Sequence, residues 1–216
     1  MQMYETIIEF FQGGGVFMYP IVAVLCLGVA IAVERWLFLT VAATSNRRAW
    51  NHLLPLVQAG RFREANEWST KSRATVARVL NFGLGRLATA RRRDDVEMAM
   101  EEGLMEAIPR LEKRTHYLAT LANIATLLGL LGTIIGLIQA FTAVAEANPA
   151  EKADMLSASI SLAMNTTAFG LMVGIPLLLV HSVLQTKATE VVDSLEMASV
   201  RLANIIMDRR VEKTRA

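Results

Sequence analysis

The residues most able to do chemistry in this chain are hydroxyls and amides placed where charge is missing. Residues 115–145 contain no Asp, Glu, Lys or Arg, and neither do residues 155–186. Each run is long enough to cross a bilayer as a helix. Yet the first carries Asn123, Thr126, Thr133, Gln139 and Thr142, and the second carries Ser157, Ser159, Ser161, Asn165, Thr166 and Thr167. A helix that only faces lipid does not need such groups. In spanning helices they pack against other helices or line a wet path.

Depth sharpens this reading. Thr133 lies 12 residues before Ala145, roughly 18 Å in from that end at 1.5 Å per residue. Thr167 lies 11 residues after Leu156, roughly 17 Å in from the same side. The two hydroxyls are therefore predicted near one level, close to mid-bilayer, with Asn165 and Thr166 beside them. A lone threonine would be read as bonding back to its own helix carbonyl. A matched pair with an amide alongside favours a polar track. Neither helix supplies a carboxylate, and the one acid in a spanning run is Glu34, read as a boundary ion pair with Arg35. A proton relay across the midplane normally needs a titratable group there, so a partner must bring the acid.

Other chemistry finds no support. His52, His116 and His181 are far apart in sequence, and no nucleotide loop or metal-ligand spacing is present. The expectation is therefore no enzyme, no cofactor and no resident metal. Cys26 is the single cysteine, can form no internal disulfide, and is read as a small packed residue. A formal net charge of +2 is too small to suggest nucleic acid. Arg91–Arg93, followed at once by Asp94 and Asp95, is read as a solvated helix start or a contact for anionic membrane lipids.

The elements that must position these groups follow from hydropathy. The chain of 216 residues is 53% hydrophobic, too apolar for an ordinary soluble domain of this size. Three spans are predicted: 16–43, 117–145 and 156–186. Around them lie an amphipathic segment at 1–15, a helical insert at 44–116, a short loop at 146–155 and a helical tail at 187–216. The fold class is thus an all-α membrane protein, with three transmembrane helices extended by long cytoplasmic helices. Residues 44–116 carry a net of +5, residues 1–15 a net of −2, and the short loop a net of −2. Basic loops stay in the cytoplasm, so the N-terminus is predicted outside and the C-terminus inside.

Within the insert, Ala49–Ala59 and Phe62–Ser69 read as a hairpin joined by Gly60, and Ala74–Ala90 as a third helix. Asp94 and Asp95 suit the start of a fourth, predicted to kink at Pro109 and run on into the second span. In the tail, Val191, Leu195, Ala198, Leu202 and Ile205 recur at coiled-coil spacing. That stripe fits either the chain's own helices or a second copy. In the spans, Gly132 and Gly136, and then Gly170 and Gly174, sit four residues apart, a spacing that lets helices approach closely. Pro176 would break the helix ladder below the hydroxyls and free a backbone carbonyl.

Several of these segments together resemble the MotA/TolQ/ExbB family of ion-channel motor subunits. The segments are Met18-Tyr19-Pro20, Glu34-Arg35-Trp36, Gly129–Gly136, and Thr166-Thr167-Ala168-Phe169-Gly170 leading to Ile175-Pro176. Three spans with a modest insert are similar to the TolQ/ExbB branch. The resemblance implies a homopentamer in a bacterial inner membrane, arranged around two copies of a single-span ExbD/TolR-type partner whose membrane Asp is essential. It assigns Thr133 and Thr167 as pore-facing threonines that couple proton flow to mechanical work. Leu162 stands where several members of that branch have Glu. Oxygen ligands at Thr133, Thr166 and Thr167 therefore keep transient sodium open as the alternative ion. A passive membrane scaffold is the other alternative, whereas a secondary transporter lacks the internal repeat it would need.

Overall fold

The structure, a computed structural model, describes residues 15–87, 90, 92–146, 148 and 150–215. Among them are six helices: α1 (Met18–Gln58), α2 (Phe62–Lys71), α3 (Thr75–Arg86), α4 (Arg93–Glu112), α5 (Thr115–Glu146) and α6 (Lys152–Arg215). No strand occurs among the described residues. The amphipathic segment expected at residues 1–15 lies outside them, apart from Gly15. The chain folds as two compact units, Met1–Glu34 with Arg114–Val183, and Arg35–Lys113 with Leu184–Ala216.

The first unit is built on missing side chains. Along α5 the buried positions are Thr115, Leu118, Ala122, Ala125, Gly129, Gly132, Gly136 and Ala140. They recur every three or four residues and so form one narrow seam of mostly small residues. The facing positions on α6 are Ala163, Thr166, Gly170 and Gly174. A Cβ added at Gly170 would lie 2.7 Å from the Ala125 carbonyl, and one at Gly129 would lie 3.2 Å from the Gly170 Cα. On α1, a Cβ at Gly28 would meet Leu177 at 2.7 Å. The large side chains point the other way, with Leu127 62% exposed, Phe141 63%, Met164 64% and Leu179 64%. No more than 28% of the most apolar 18-residue stretch of each long helix is buried within the chain. A soluble monomer does not expose that much contiguous apolar surface, so lipid or other chains cover it. Cys26, expected to be packed, belongs to this exposed surface.

In the second unit, polar groups fix the short helices. Asn46 on α1 is 4% exposed, and its Oδ1 accepts the Val76 N–H at 3.1 Å. That satisfies a donor at the start of α3, where Ala74 offers no side-chain cap. Asn81 donates to Asn66 Oδ1 at 3.0 Å and Thr70 Oγ1 at 2.9 Å, tying α3 to α2. Bare backbone at Gly83 and Gly103 lets α3 and α4 close on each other, with Arg78 and Glu106 paired at 2.7 Å across them. The tail stripe is buried within the single chain: Val191, Leu195, Ala198 and Leu202 are each no more than 4% exposed. Ile206 rather than Ile205 continues it.

Four local expectations are corrected. The stretch expected as a separate helix at 49–59 is instead the end of the helix that starts at Met18 and runs to Gln58. No glycine interrupts it after Gly28, and the Thr40 and Thr44 hydroxyls bond back to the Trp36 and Thr40 carbonyls at 2.6 and 2.9 Å. The third helix stops at Arg86 rather than Ala90. The second spanning helix is not continuous with α4, and the break falls at Lys113–Arg114 instead of Pro109. Lys113 has φ −49° and ψ 137°, outside the helical region, and Arg114 has φ 68°, a left-handed conformation. Pro109 lies in the last turn of α4, where losing one backbone bond is tolerated. Finally, Glu34 and Arg35 do not pair with each other. Glu34 faces Arg114 at 3.4 Å, while Arg35, 2% exposed, donates to the Leu111 carbonyl and lies 4.9 Å over the Phe38 ring.

Candidate functional site

The glycine seam brings Thr133 of α5 and Thr167 of α6 together. Their hydroxyls hydrogen-bond each other. Thr167 Oγ1 also lies 3.0 Å from the Gly129 carbonyl, and Thr133 Oγ1 lies 3.3 Å from that oxygen and 3.5 Å from the Ala163 carbonyl. A carbonyl only accepts, and each hydroxyl has one hydrogen. When Thr167 donates to Gly129, Thr133 must donate to Thr167, which leaves lone pairs on both threonines for an incoming donor or cation. Both side chains are half-buried, so they are neither sealed in the seam nor turned fully outward. Four oxygens, two hydroxyl and two carbonyl, thus converge within one helix pair.

Thr166 makes a different contact. Thr166 is 2% exposed, and its hydroxyl bonds back to the Leu162 carbonyl at 3.0 Å. Its methyl faces Gly132, where an added Cβ would come within 2.4 Å. Thr166 is therefore part of the helix contact. Asn165 is half-buried one position before it. Gly136 meets Ala163, with an added Cβ 3.0 Å from the alanine Cβ. Gly174 meets the Thr126 hydroxyl at 2.6 Å by the same measure. Pro176 lies inside α6, which continues past it. Lacking an N–H, it gives the Met172 carbonyl no helix bond.

One polar contact in this unit was set aside in the sequence because its histidine has no sequence neighbour of its kind. His181 Nδ1 lies 3.0 Å from the carbonyl of Thr115, a residue that is fully buried. The signal was available in the spacing: His181 follows Thr167 by two heptads. Among the described residues no group of three or more His, Cys, Asp or Glu side chains is placed to hold a metal ion.

The same segments recur in known proteins. The model of the MotA/TolQ/ExbB proton channel family matches residues 71–197, which include the whole seam and both threonines. A putative biopolymer transport protein ExbB homolog of Methanothermobacter thermautotrophicus is 27% identical over 203 residues, covering 91% of this chain and 69% of that protein. Biopolymer transport protein exbB1 of Vibrio cholerae is 28% identical, covering 80% of this chain and 76% of its own length. The Tol-Pal system protein TolQ of Haemophilus influenzae is 32% identical over 93 residues, 43% of this chain and 40% of that protein. With more than half of its length matched by the family model, and with these relatives, this three-span chain belongs to the MotA/TolQ/ExbB proton channel family, on its ExbB/TolQ side.

Proposed function

We infer that this chain is the channel-forming subunit of an inner-membrane, energy-transducing motor of the ExbB/TolQ type. In this reading it assembles as a homopentamer around a pair of single-span ExbD/TolR-type chains. The partner's membrane Asp exchanges a proton at the level of Thr133 and Thr167, and the resulting movement does work on the outer side. The N-terminus is outside and the C-terminus inside, a reading supported by the basic residues 44–116.

The observation that carries the reading is the joined, half-buried hydroxyl pair with spare lone pairs, held at mid-seam by bare glycine backbone. It supplies hydrogen-bonding groups without a titratable one, which suits a site whose acid comes from another chain. Replacing Thr167 by Val keeps shape and removes the hydroxyl. The expected result is an intact assembly whose ion-driven activity falls by at least about tenfold. Full activity in that variant would remove the assignment. A passive scaffold predicts instead that assembly and activity fall together.

Sodium is the second reading, favoured by the two carbonyl oxygens beside the hydroxyls, since hard cations take oxygen ligands. Activity in sodium-free medium separates the ions: proton coupling persists there, and sodium coupling does not.

A further inference from the structure

We propose that His181 is the proton-exchange group at the inner end of the α5–α6 path, the one histidine in the run 155–186 that has no Asp, Glu, Lys or Arg. This rests on the motor reading and deepens it. Thr167, Gly174 and His181 follow at intervals of seven on α6. Fourteen residues are about 21 Å along the axis and return to within about 40° of the same face. Between them, the Thr126 hydroxyl lies against the bare backbone of Gly174. A hydroxyl pair, a single hydroxyl and an imidazole therefore stand at successive levels along one edge of the seam. Intervals of about 10 Å exceed a hydrogen bond, so water completes each step. It does so on the flank, where Thr133, Thr167 and His181 are half-buried, because the glycine contacts close the seam itself.

The imidazole is held in one tautomer. The Thr115 carbonyl can only accept, so Nδ1 carries the hydrogen and donates it. Nε2 is left as the basic nitrogen. An arriving proton binds Nε2 and gives the imidazolium. Loss of a proton from Nε2 to the inner aqueous phase restores the starting state, with Nδ1–H untouched throughout. One proton enters and one leaves. Next to Thr115 in the sequence are His116 and Tyr117 on α5, whose rings lie 4.2 Å apart, and Arg114, which pairs with Glu34 of α1. On α6 the next charged residue in the sequence is Lys187.

A merely structural histidine would tie α6 to Thr115 and do nothing else, and His181→Gln separates the two roles. Glutamine keeps an N–H for the Thr115 carbonyl and cannot titrate. The complex is purified from native membranes by a tag on this chain and placed in phosphatidylethanolamine–phosphatidylglycerol vesicles with a trapped pH dye. Proton flux is then read against inner pH from about 5 to 8, the range histidine spans. Wild type is expected to show a titration in that range. His181→Gln is expected to lose it, with flux down at least about tenfold and assembly intact. Unchanged flux, or lower flux with the wild-type pH profile, overturns the proposal. So does sodium-driven movement in the wild type, since an imidazole does not relay sodium. If Thr167→Val alone leaves flux unchanged, the broader motor reading fails separately. Should His181→Gln not assemble, nitrogen-15 spectra of the His52→Gln, His116→Gln complex decide: a neutral Nδ1–H form that gains its proton at Nε2 supports the role. A ring that never changes state across that range overturns it.

Discussion

Exchanging a hydroxyl for a methyl group of the same shape is the gentlest way to interrogate Thr133, Thr166 and Thr167, and the three should answer differently. Thr166 bonds to its own helix and fills the space over Gly132. Thr166→Val should therefore leave ion-driven activity near normal and shift stability by no more than about 1 kcal/mol. Thr133→Val should lower activity as Thr167→Val does, because each hydroxyl is the other's partner. Measuring activity and assembly side by side in the three variants checks this; a defect in all three would point to packing alone. Sequence depth was enough to pair Thr133 with Thr167, because helical rise converts residue count into height. It was not enough to separate Thr167 from Thr166, which sit at nearly one height. Their difference is rotation about α6, a quarter-turn that only the packed partner helix reveals.

At the level of helices, the glycines should rank by what an added methyl would strike. Gly170→Ala drives a carbon toward the Ala125 carbonyl and the Gly129 backbone. It should lower the thermal midpoint of the detergent-solubilised complex most, by the equivalent of about 1–3 kcal/mol or more. Gly132→Ala meets the Thr166 side chain rather than a facing backbone and should cost less. Gly85→Ala, exposed in α3 with nothing within 4 Å, should stabilise by up to about 1 kcal/mol. Equal effects at all three would refute the packing account. Arg114 gives a second contrast at the α4–α5 junction. Its left-handed backbone favours glycine, so Arg114→Gly should be about 1 kcal/mol more stable than Arg114→Ala, although both lose the pair with Glu34. That junction was illegible in the sequence. Proline is the strongest visible breaker, yet Pro109 sits where α4 is ending anyway, while the turn is made by Lys113 and Arg114, types with no turn signature. That α1 absorbs the stretch 49–59, expected as a helix of its own, was missed for the opposite reason: a change from apolar to charged composition marks a change of surroundings, not a change of backbone.

Across the molecule, the two units respond to different conditions. Outside the membrane, the Arg61 hydrogen bond holds the Glu64 carboxyl below its usual range, and Arg61 is raised in turn. A depressed acid contributes stability above its unfolded range and loses it as pH falls through the folded one. The protection of α2 amides against hydrogen exchange, relative to their intrinsic rates, should therefore fall in acid, and Glu64→Gln should flatten that dependence. A wild-type α2 with no acid sensitivity would contradict the pairing. The first unit, with no Asp, Glu, Lys or Arg between residues 155 and 183, should show no such trend in α6. Its outward surface offers a different kind of access. Cys26 is the chain's sole sulfhydryl and lies open on α1, so one nitroxide or fluorophore attached there marks every copy at an equivalent point with no engineered residue. Its relaxation by oxygen or by a membrane-impermeant nickel chelate would then tell whether that flank meets hydrocarbon or a neighbouring copy.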